Sequence, residues 1–388
     1  MSWRKGLPLE DSQVSQFATS GFRGLVWALC GILAFGLSEL SAADSSTTHQ
    51  HSVRKLADGV YLILHPIAPD HFTESNTVVV IGDTAVLVVD SCYLPSSARD
   101  DIAKIREWTD KPVRYLLNTH WHNDHTQGNA IYADTFPAIN IVAQSETAKL
   151  IPIRVPAYLA EYSTRMERFK QEIATKKDPG GRPLTQPEID DLKVAVSGGE
   201  EASKVVSAEF RNLRVKAPDL AFDRELDVDL GNRQVQLKFL GRGNTAGDAV
   251  AYLPKEKILV AGDLVDSPIP FLYGGFPIEQ IETLKQMNAL DFDTLIPGHG
   301  DVLKGKAFVQ MEIELLQAVV SAMTQEIART SAEPQARFEE IKRAVEKQID
   351  KSAWSRRFAP DDADERDFFE DFSWPGLLLA VHAELWPR

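Results

Sequence analysis

Thr119-His120-Trp121-His122-Asn123-Asp124-His125 gathers three of the chain's nine histidines and a carboxylate into one short run. Imidazole and carboxylate together suit zinc, and also iron or manganese, and catalytic zinc sites draw on these ligand types. The run directly follows Val113-Arg114-Tyr115-Leu116-Leu117, an apolar stretch that reads as a buried strand. The spacing therefore predicts a metal-binding loop at the strand's C-terminal end. A solvated polar loop gives no reason for so many imidazoles in so few positions.

Three further stretches follow in order: Gly241-Arg242-Gly243-Asn244-Thr245-Ala246-Gly247-Asp248, Val260-Ala261-Gly262-Asp263-Leu264, and Ile296-Pro297-Gly298-His299-Gly300. With H-x-H-x-D-H at their head, they resemble the metallo-β-lactamase superfamily. Its members read roughly G-H-T-x-G-(S/D), then an apolar run ending in G-D, then P-G-H-G. The resemblance covers about residues 53 to 305. One motif departs, because Asn244 stands where a metal-binding His is usual. No His occurs between His125 and His299, so the missing ligand has not merely shifted in register. The remaining histidines, His49, His51, His65, His71 and His382, offer no obvious substitute. The first two fall in a segment expected to be flexible, the next two in the first strands and their loop.

The resemblance implies a binuclear site. His120 and His122 would hold one ion with a third His, Asp124, His125 and His299 would hold the second, and Asp263 would bridge them. Two such cations share a hydroxide nucleophile and polarise the scissile bond, and coordination brings the bound water's pKa towards neutrality. Asn244 offers a neutral amide oxygen at best. It either completes the first site weakly or only hydrogen-bonds to a ligand. The expectation is one or two zinc ions per chain, with iron or manganese as other candidates. Outside this motif context, Asp263 could cap a turn and His299 could be an exposed turn residue.

The function expected from the resemblance is that of an exported metallohydrolase acting on a small molecule. A metal-bound hydroxide, positioned by Asp124 and Asp263, would attack an amide, ester, lactone or thioester. Asp263, where true β-lactamases usually carry Cys or Ser, looks more like the thioesterase and general hydrolase branches. Two other classes stand beside this one. One is a non-catalytic metal-binding scaffold that has lost its full centre. The other is a mononuclear iron oxygenase similar to the persulfide dioxygenases, whose triad would need a His at Asn244.

A net charge of −14 repels phosphate backbones, which argues against a nucleic-acid partner. Arg4, Lys5 and Arg23 precede the apolar stretch Gly24 to Leu37, and Ser41-Ala42-Ala43 supplies small residues. This pattern predicts a signal peptide over 1–43, cleaved to release a periplasmic or secreted protein with no membrane attachment. A retained N-terminal anchor is the competing reading. Of the two cysteines only Cys92 follows the predicted cleavage point, so no internal disulfide can form. Cys92 reads as a packed small residue rather than a nucleophile. The sequence gives no sign of the oligomeric state.

The elements that must position the ligands follow from patterning. After a polar, disordered lead over 44–52, strand-like runs at Val60–Leu64, Thr77–Ile81 and Ala85–Val89 precede a helix over Ser96–Trp108 and the strand leading into the metal loop. Leu226–Phe239, Ala249–Val260, a helix Pro277–Leu290 and Thr294–Ile296 repeat that order. The fold class is α/β, an αβ/βα four-layer sandwich over 53–305. Helix formers over about 145–217 predict a helical-hairpin insertion, either a lid or a supporting layer. A helical C-terminal extension over 306–388 is expected as Lys306–Arg329, Arg337–Lys351 and Pro375–Trp386, the last two separated by the charged run 361–367.

Overall fold

Val78–Val80 and Val86–Val89 are wholly buried, as runs of β-branched residues are when a sheet is covered on both faces. They lie in a sheet whose strands follow chain order: β1 (Ser52–Ala57), β2 (Val60–Leu64), β3 (Thr77–Ile81), β4 (Val86–Val89), β5 (Val113–Asn118), β6 (Asn140–Gln144) and β7 (Leu220–Phe222). Pairing is antiparallel up to β4 and parallel from β4 to β7. The second sheet runs β13-β12-β11-β10-β9-β8, from β8 (Glu225–Asp229), β9 (Gln234–Phe239), β10 (Ala249–Leu253), β11 (Ile258–Gly262), β12 (Thr294–Pro297) and β13 (Leu303–Lys304). Its one parallel pair is β11 with β12. The computed structural model describes residues 51–329 and 338–386. The expected signal segment and nearly all of the polar lead lie outside these. At the lead's end the expectation fails: Ser52 begins β1, paired with Leu64, and the His51 side chain contacts His65.

Facing side chains of the two sheets form one apolar layer, including Val78, Leu87 and Val89 against Leu237, Ala251 and Val260. The outer face of the first sheet packs on α1 (Pro95–Trp108) and α3 (Asn129–Thr135), chiefly through Ile102, Ile105 and Tyr132; the single turn α2 (Asn123–Thr126) lies between them in the chain. This produces the expected four-layer αβ/βα sandwich.

The insertion is a helical hairpin, α4 (Ser145–Thr175) and α5 (Gln186–Phe210). Thr185 and Glu188 form a reciprocal capping box at the start of α5. In the turn before it, Asp178 Oδ1 accepts from the Arg182 amide at 2.8 Å. Phe169, Ile189 and Leu192 close the hairpin on itself. Its base packs on the sandwich through Tyr162, Val206 and Phe210 against Ala68, Tyr93 and Leu94.

On the second sheet's outer face lie α6 (Pro277–Ala289) and α7 (Ala307–Arg329), then α8 (Phe338–Glu346), α9 (Lys351–Phe358), α10 (Ala363–Phe368) and α11 (Trp374–Leu385). The extension is therefore more broken than expected. The helix expected over 337–351 splits before Lys351, where Asp350 caps the new helix by accepting from the Ala353 amide. The charged run expected as a spacer contains α10, capped by Asp362 on the Asp364 and Glu365 amides. Trp374 is fully buried in this layer. No helix among the described residues is long and apolar enough to cross a membrane.

Candidate metal centre

The ligand-type side chains converge from the C-terminal ends of strands, where open α/β sheets present their sites. β5 ends at Asn118 and hands the chain to Thr119 and His120; the single turn α2 carries Asp124 and His125. Asp263 directly follows β11, and His299 lies just beyond β12. Crowding here demands glycine: a Cβ on Gly298 would lie 1.9 Å from Asp263 Oδ1.

Asp263 sits at the middle. Its Oδ2 is 3.3 Å from His120 Nε2, while its Oδ1 is 3.1 Å from His125 Nε2 and 3.7 Å from His299 Nε2. Asp124 Oδ2 lies 3.0 Å from His299 Nε2 and 3.4 Å from His125 Nε2. Three overlapping groups result, His120 with His125 and Asp263, Asp124 with His125 and His299, and Asp263 with Asp266 and His299, each with donor atoms within 4.8 Å of one another. His122 stands beside them, its ring 4.5 Å from that of His120. All six sequence-predicted ligands are thus in one place.

What lies behind the imidazoles decides which nitrogen each turns inward. His125 Nδ1 is 2.8 Å from Asp90 Oδ2, His299 Nδ1 is 3.0 Å from the Glu74 carbonyl, and His120 Nδ1 is 3.1 Å from Thr119 Oγ1. Each therefore faces the cluster with Nε2, the arrangement that fixes a ligating tautomer. His120 Nε2 and Asp263 Oδ1 are buried and make no hydrogen bond. Buried polar atoms are costly without a partner, and a cation held by these donors would satisfy both. The residues fit zinc or a comparable divalent ion.

Asn244 occupies the position between His122 and Asp263. Its Nδ2 is 3.4 Å from His122 Nδ1 and 3.4 Å from Asp263 Oδ2. Asp248 holds the loop by accepting from the Thr245 amide at 2.9 Å and the Thr245 hydroxyl at 2.8 Å. The amide thus contacts both His122 and Asp263, whichever of its two expected parts it plays.

Charges in the cluster set one another's protonation. Burial opposes a charged His125, but the carboxylates of Asp263, Asp124 and Asp90 outweigh it and raise its pKa well above the ordinary value. For His299 burial is likewise outweighed, by Asp263 and Asp124, and its pKa rises to about 9. Burial would raise Asp263 and Asp124, yet the facing imidazoles hold both below the usual carboxylate range. His122, desolvated and beside His120, drops to about 3. Burial, and then the charge of Asp263, pushes Asp266 well up; its Oδ1 accepts from the His299 amide at 3.2 Å.

Sequence reasoning missed Asp90, the Glu74 carbonyl, Asp248 and Asp266. Asp90 had a signal, a carboxylate directly after the apolar run Val86–Val89. Its αL backbone, φ 63°, had none. Cys92 is fully buried, as expected of a packed residue, but its neighbours are polar. The insertion reaches the rim of the centre: Thr147 Oγ1 donates to the Gly247 carbonyl at 2.9 Å, and the Arg154 guanidinium lies 5.5 Å from the Trp121 ring centre.

Comparison with known proteins agrees with this fold. The family model of the metallo-beta-lactamase superfamily matches residues 72–299. The linear primary-alkylsulfatase of Pseudomonas sp. (strain ATCC 19151) is 22% identical over 258 residues, 63% of this chain and 45% of that protein. This chain thus spans less than half of that relative's length. The 2,4-dinitroanisole O-demethylase subunit alpha of Nocardioides sp. (strain JS1661) is 24% identical over 294 residues, covering 74% of this chain and 70% of that subunit. Among solved structures, a double mutant of the sec-alkyl sulfatase PisA1 superposes with a TM-score of 0.55 at 12% identity, over 87% of this chain and 50% of that one. With its sandwich, its cluster at the strand ends and the matched span all in agreement, the chain belongs to the metallo-β-lactamase superfamily.

Proposed function

We propose that the chain is a metal-dependent hydrolase that cleaves a small molecule at an amide, ester, lactone or thioester bond after export from the cytoplasm. One observation carries the reading: the Asp263 carboxylate turns one oxygen to His120 and the other to His125 and His299. His120, His122 and Asp263, with Asn244 beside them, would hold one cation. Asp124, His125, His299 and Asp263 would hold another.

A bound divalent ion supplies Lewis acidity and lowers the pKa of water towards neutrality. The chain's own contribution is positioning and charge. Asp90 and the Glu74 carbonyl fix the His125 and His299 rings, so these side chains need no reorganisation during reaction. Asp124, its Oδ2 between His125 and His299, holds negative charge at the point where a nucleophilic water would be oriented. Trp121 and the first turns of α4 lie at the rim of the centre.

The test is a hydrolysis panel with zinc-loaded protein. It covers esters, thioesters, lactones and amides, together with an alkyl sulfate and an aryl methyl ether because of the relatives' names. Activity on at least one class, lost in Asp124→Ala with the circular dichroism spectrum unchanged, is the expected result. A metal-loaded protein inert towards every class, whose Asp124→Ala variant loses only metal and stability, would mark a scaffold instead.

A further inference from the structure

A second set of donor side chains lies buried apart from the centre just described, where the loop after β4 meets α1. His65 Nε2 is 3.3 Å from Asp101 Oδ2 and 3.5 Å from Cys92 Sγ, and Cys92 Sγ is 3.2 Å from Asp101 Oδ2. All three side chains are fully buried. We propose that His65, Cys92 and Asp101 form a structural metal site for zinc or a similar borderline-soft divalent cation.

Ligands about 2.0–2.3 Å from a tetrahedral zinc stand roughly 3.3–3.6 Å from one another. The triangle of nitrogen, sulfur and oxygen nearly has these edges. Thr77 Oγ1 faces the remaining side, 3.3 Å from His65 Nε2 and 3.4 Å from Cys92 Sγ. Imidazole, thiolate and carboxylate are the ligand types zinc takes.

Two independent features point to a missing partner. Asp101 Oδ1 is buried and makes no hydrogen bond, although Asp101 is 0% exposed. Behind His65, a relay can fix the tautomer a metal requires. His51 Nε2 is 3.2 Å from Asp100 Oδ2, and His51 Nδ1 is 2.9 Å from His65 Nδ1. If His51 donates to Asp100, its Nδ1 accepts from His65, and His65 Nε2 keeps a lone pair turned towards Cys92 and Asp101. A cation there would tie β2, β3, the β4–α1 loop and α1 together. It would also buttress Asp90, two residues from Cys92, and hence His125. The rival arrangement puts a proton on His65 Nε2 and leaves a buried His65–Asp101 ion pair.

Cobalt substitution separates the two, because only a thiolate ligand produces near-ultraviolet thiolate-to-cobalt absorption, and the His and Asp centre contains no cysteine. The full chain is used with Cys30→Ser, leaving Cys92 as its only thiol. The absorption is expected on loading with cobalt. It persists in Asp124→Ala, and disappears in Cys92→Ser together with about one zinc ion per chain by elemental analysis. Should Cys92→Ser fail to fold, the spectrum of the chain with Cys92 intact still decides. No thiolate absorption there overturns the site and leaves the ion pair in its place.

Discussion

Asp90 Oδ2 meets His125 Nδ1 at 2.8 Å, and the same carboxylate accepts from the Thr119 amide at 2.8 Å and the Thr119 hydroxyl at 2.9 Å. The end of β4 thus holds the ring of one ligand-type residue and the backbone just before another. Asp90→Asn tests this at small steric cost, since asparagine tolerates the αL backbone found there, φ 63°. It removes the charge opposite His125 while keeping the residue's size. The expected result is metal affinity weaker by roughly 10–100-fold, read by competition with a chelator, with the fold retained. Unchanged affinity would show that Thr119 and packing orient His125 without the charge.

Asn244 would make the first ion the weaker of the two. A neutral amide donates less electron density than imidazole, and here it touches both His122 and Asp263. Asn244→His is expected to add about one zinc ion per chain over the unmodified chain after dialysis, measured by elemental analysis. No gain on Asn244→His would show instead that Asn244 or a water already completes the first site.

The ligand types were legible because chemistry demands them. His120, His122, Asp124 and His125 fall within six positions, and Asp263 and His299 follow apolar runs that read as strands. The helical hairpin was legible from its helix formers over about 145–217, and the structure adds the Thr185–Glu188 capping box. Residues acting from behind were not. Glu74 serves His299 through a main-chain carbonyl, which no side-chain identity can announce. Asp90 reaches His125 only because β4 and β5 are parallel neighbours, a long-range pairing. In the C-terminal extension, Asp350 and Asp362 read as surface charge, yet both cap helices.

Glu312 predicts an unusual pH dependence of stability. It is 1% exposed; Oε1 accepts from Gln280 Nε2 at 3.2 Å and Oε2 makes no hydrogen bond. Burial, and then the nearby charge of Asp266, raises its pKa well above the ordinary 4.5. The folded state therefore keeps a proton that the unfolded state gives up above that value. Stability from this group is full below about pH 4.5 and falls as pH rises towards the folded pKa. Glu312→Gln keeps the carbonyl acceptor and cannot ionise. Its melting temperature is expected to exceed the parent's by a margin that grows from about pH 5 to about pH 8. A margin independent of pH would mean that Glu312 ionises alike in both states.

Asp70 Oδ2 accepts from the Tyr162 hydroxyl at 2.7 Å and the Tyr93 hydroxyl at 3.0 Å, and Tyr93 and Tyr158 hydroxyls meet at 2.8 Å. The Arg165 guanidinium lies 4.8 Å from the Tyr162 ring centre, adding a cation–π contact. This network ties α4 to the loop between β2 and β3, the loop whose Glu74 carbonyl meets His299. Tyr162→Phe deletes one hydrogen bond to a charged acceptor, worth about 1.5–3 kcal/mol. The hairpin has its own apolar cluster around Phe169 and Leu192, so it is expected to detach as a unit before the sandwich opens. Limited proteolysis should then cut within 145–217 several-fold faster than in the parent, while zinc content stays the same. Because Thr147 on α4 also holds the Gly247 carbonyl, turnover should fall with the loosening if the hairpin walls the site. Faster cleavage with unchanged turnover would make the insertion a supporting layer and not a lid.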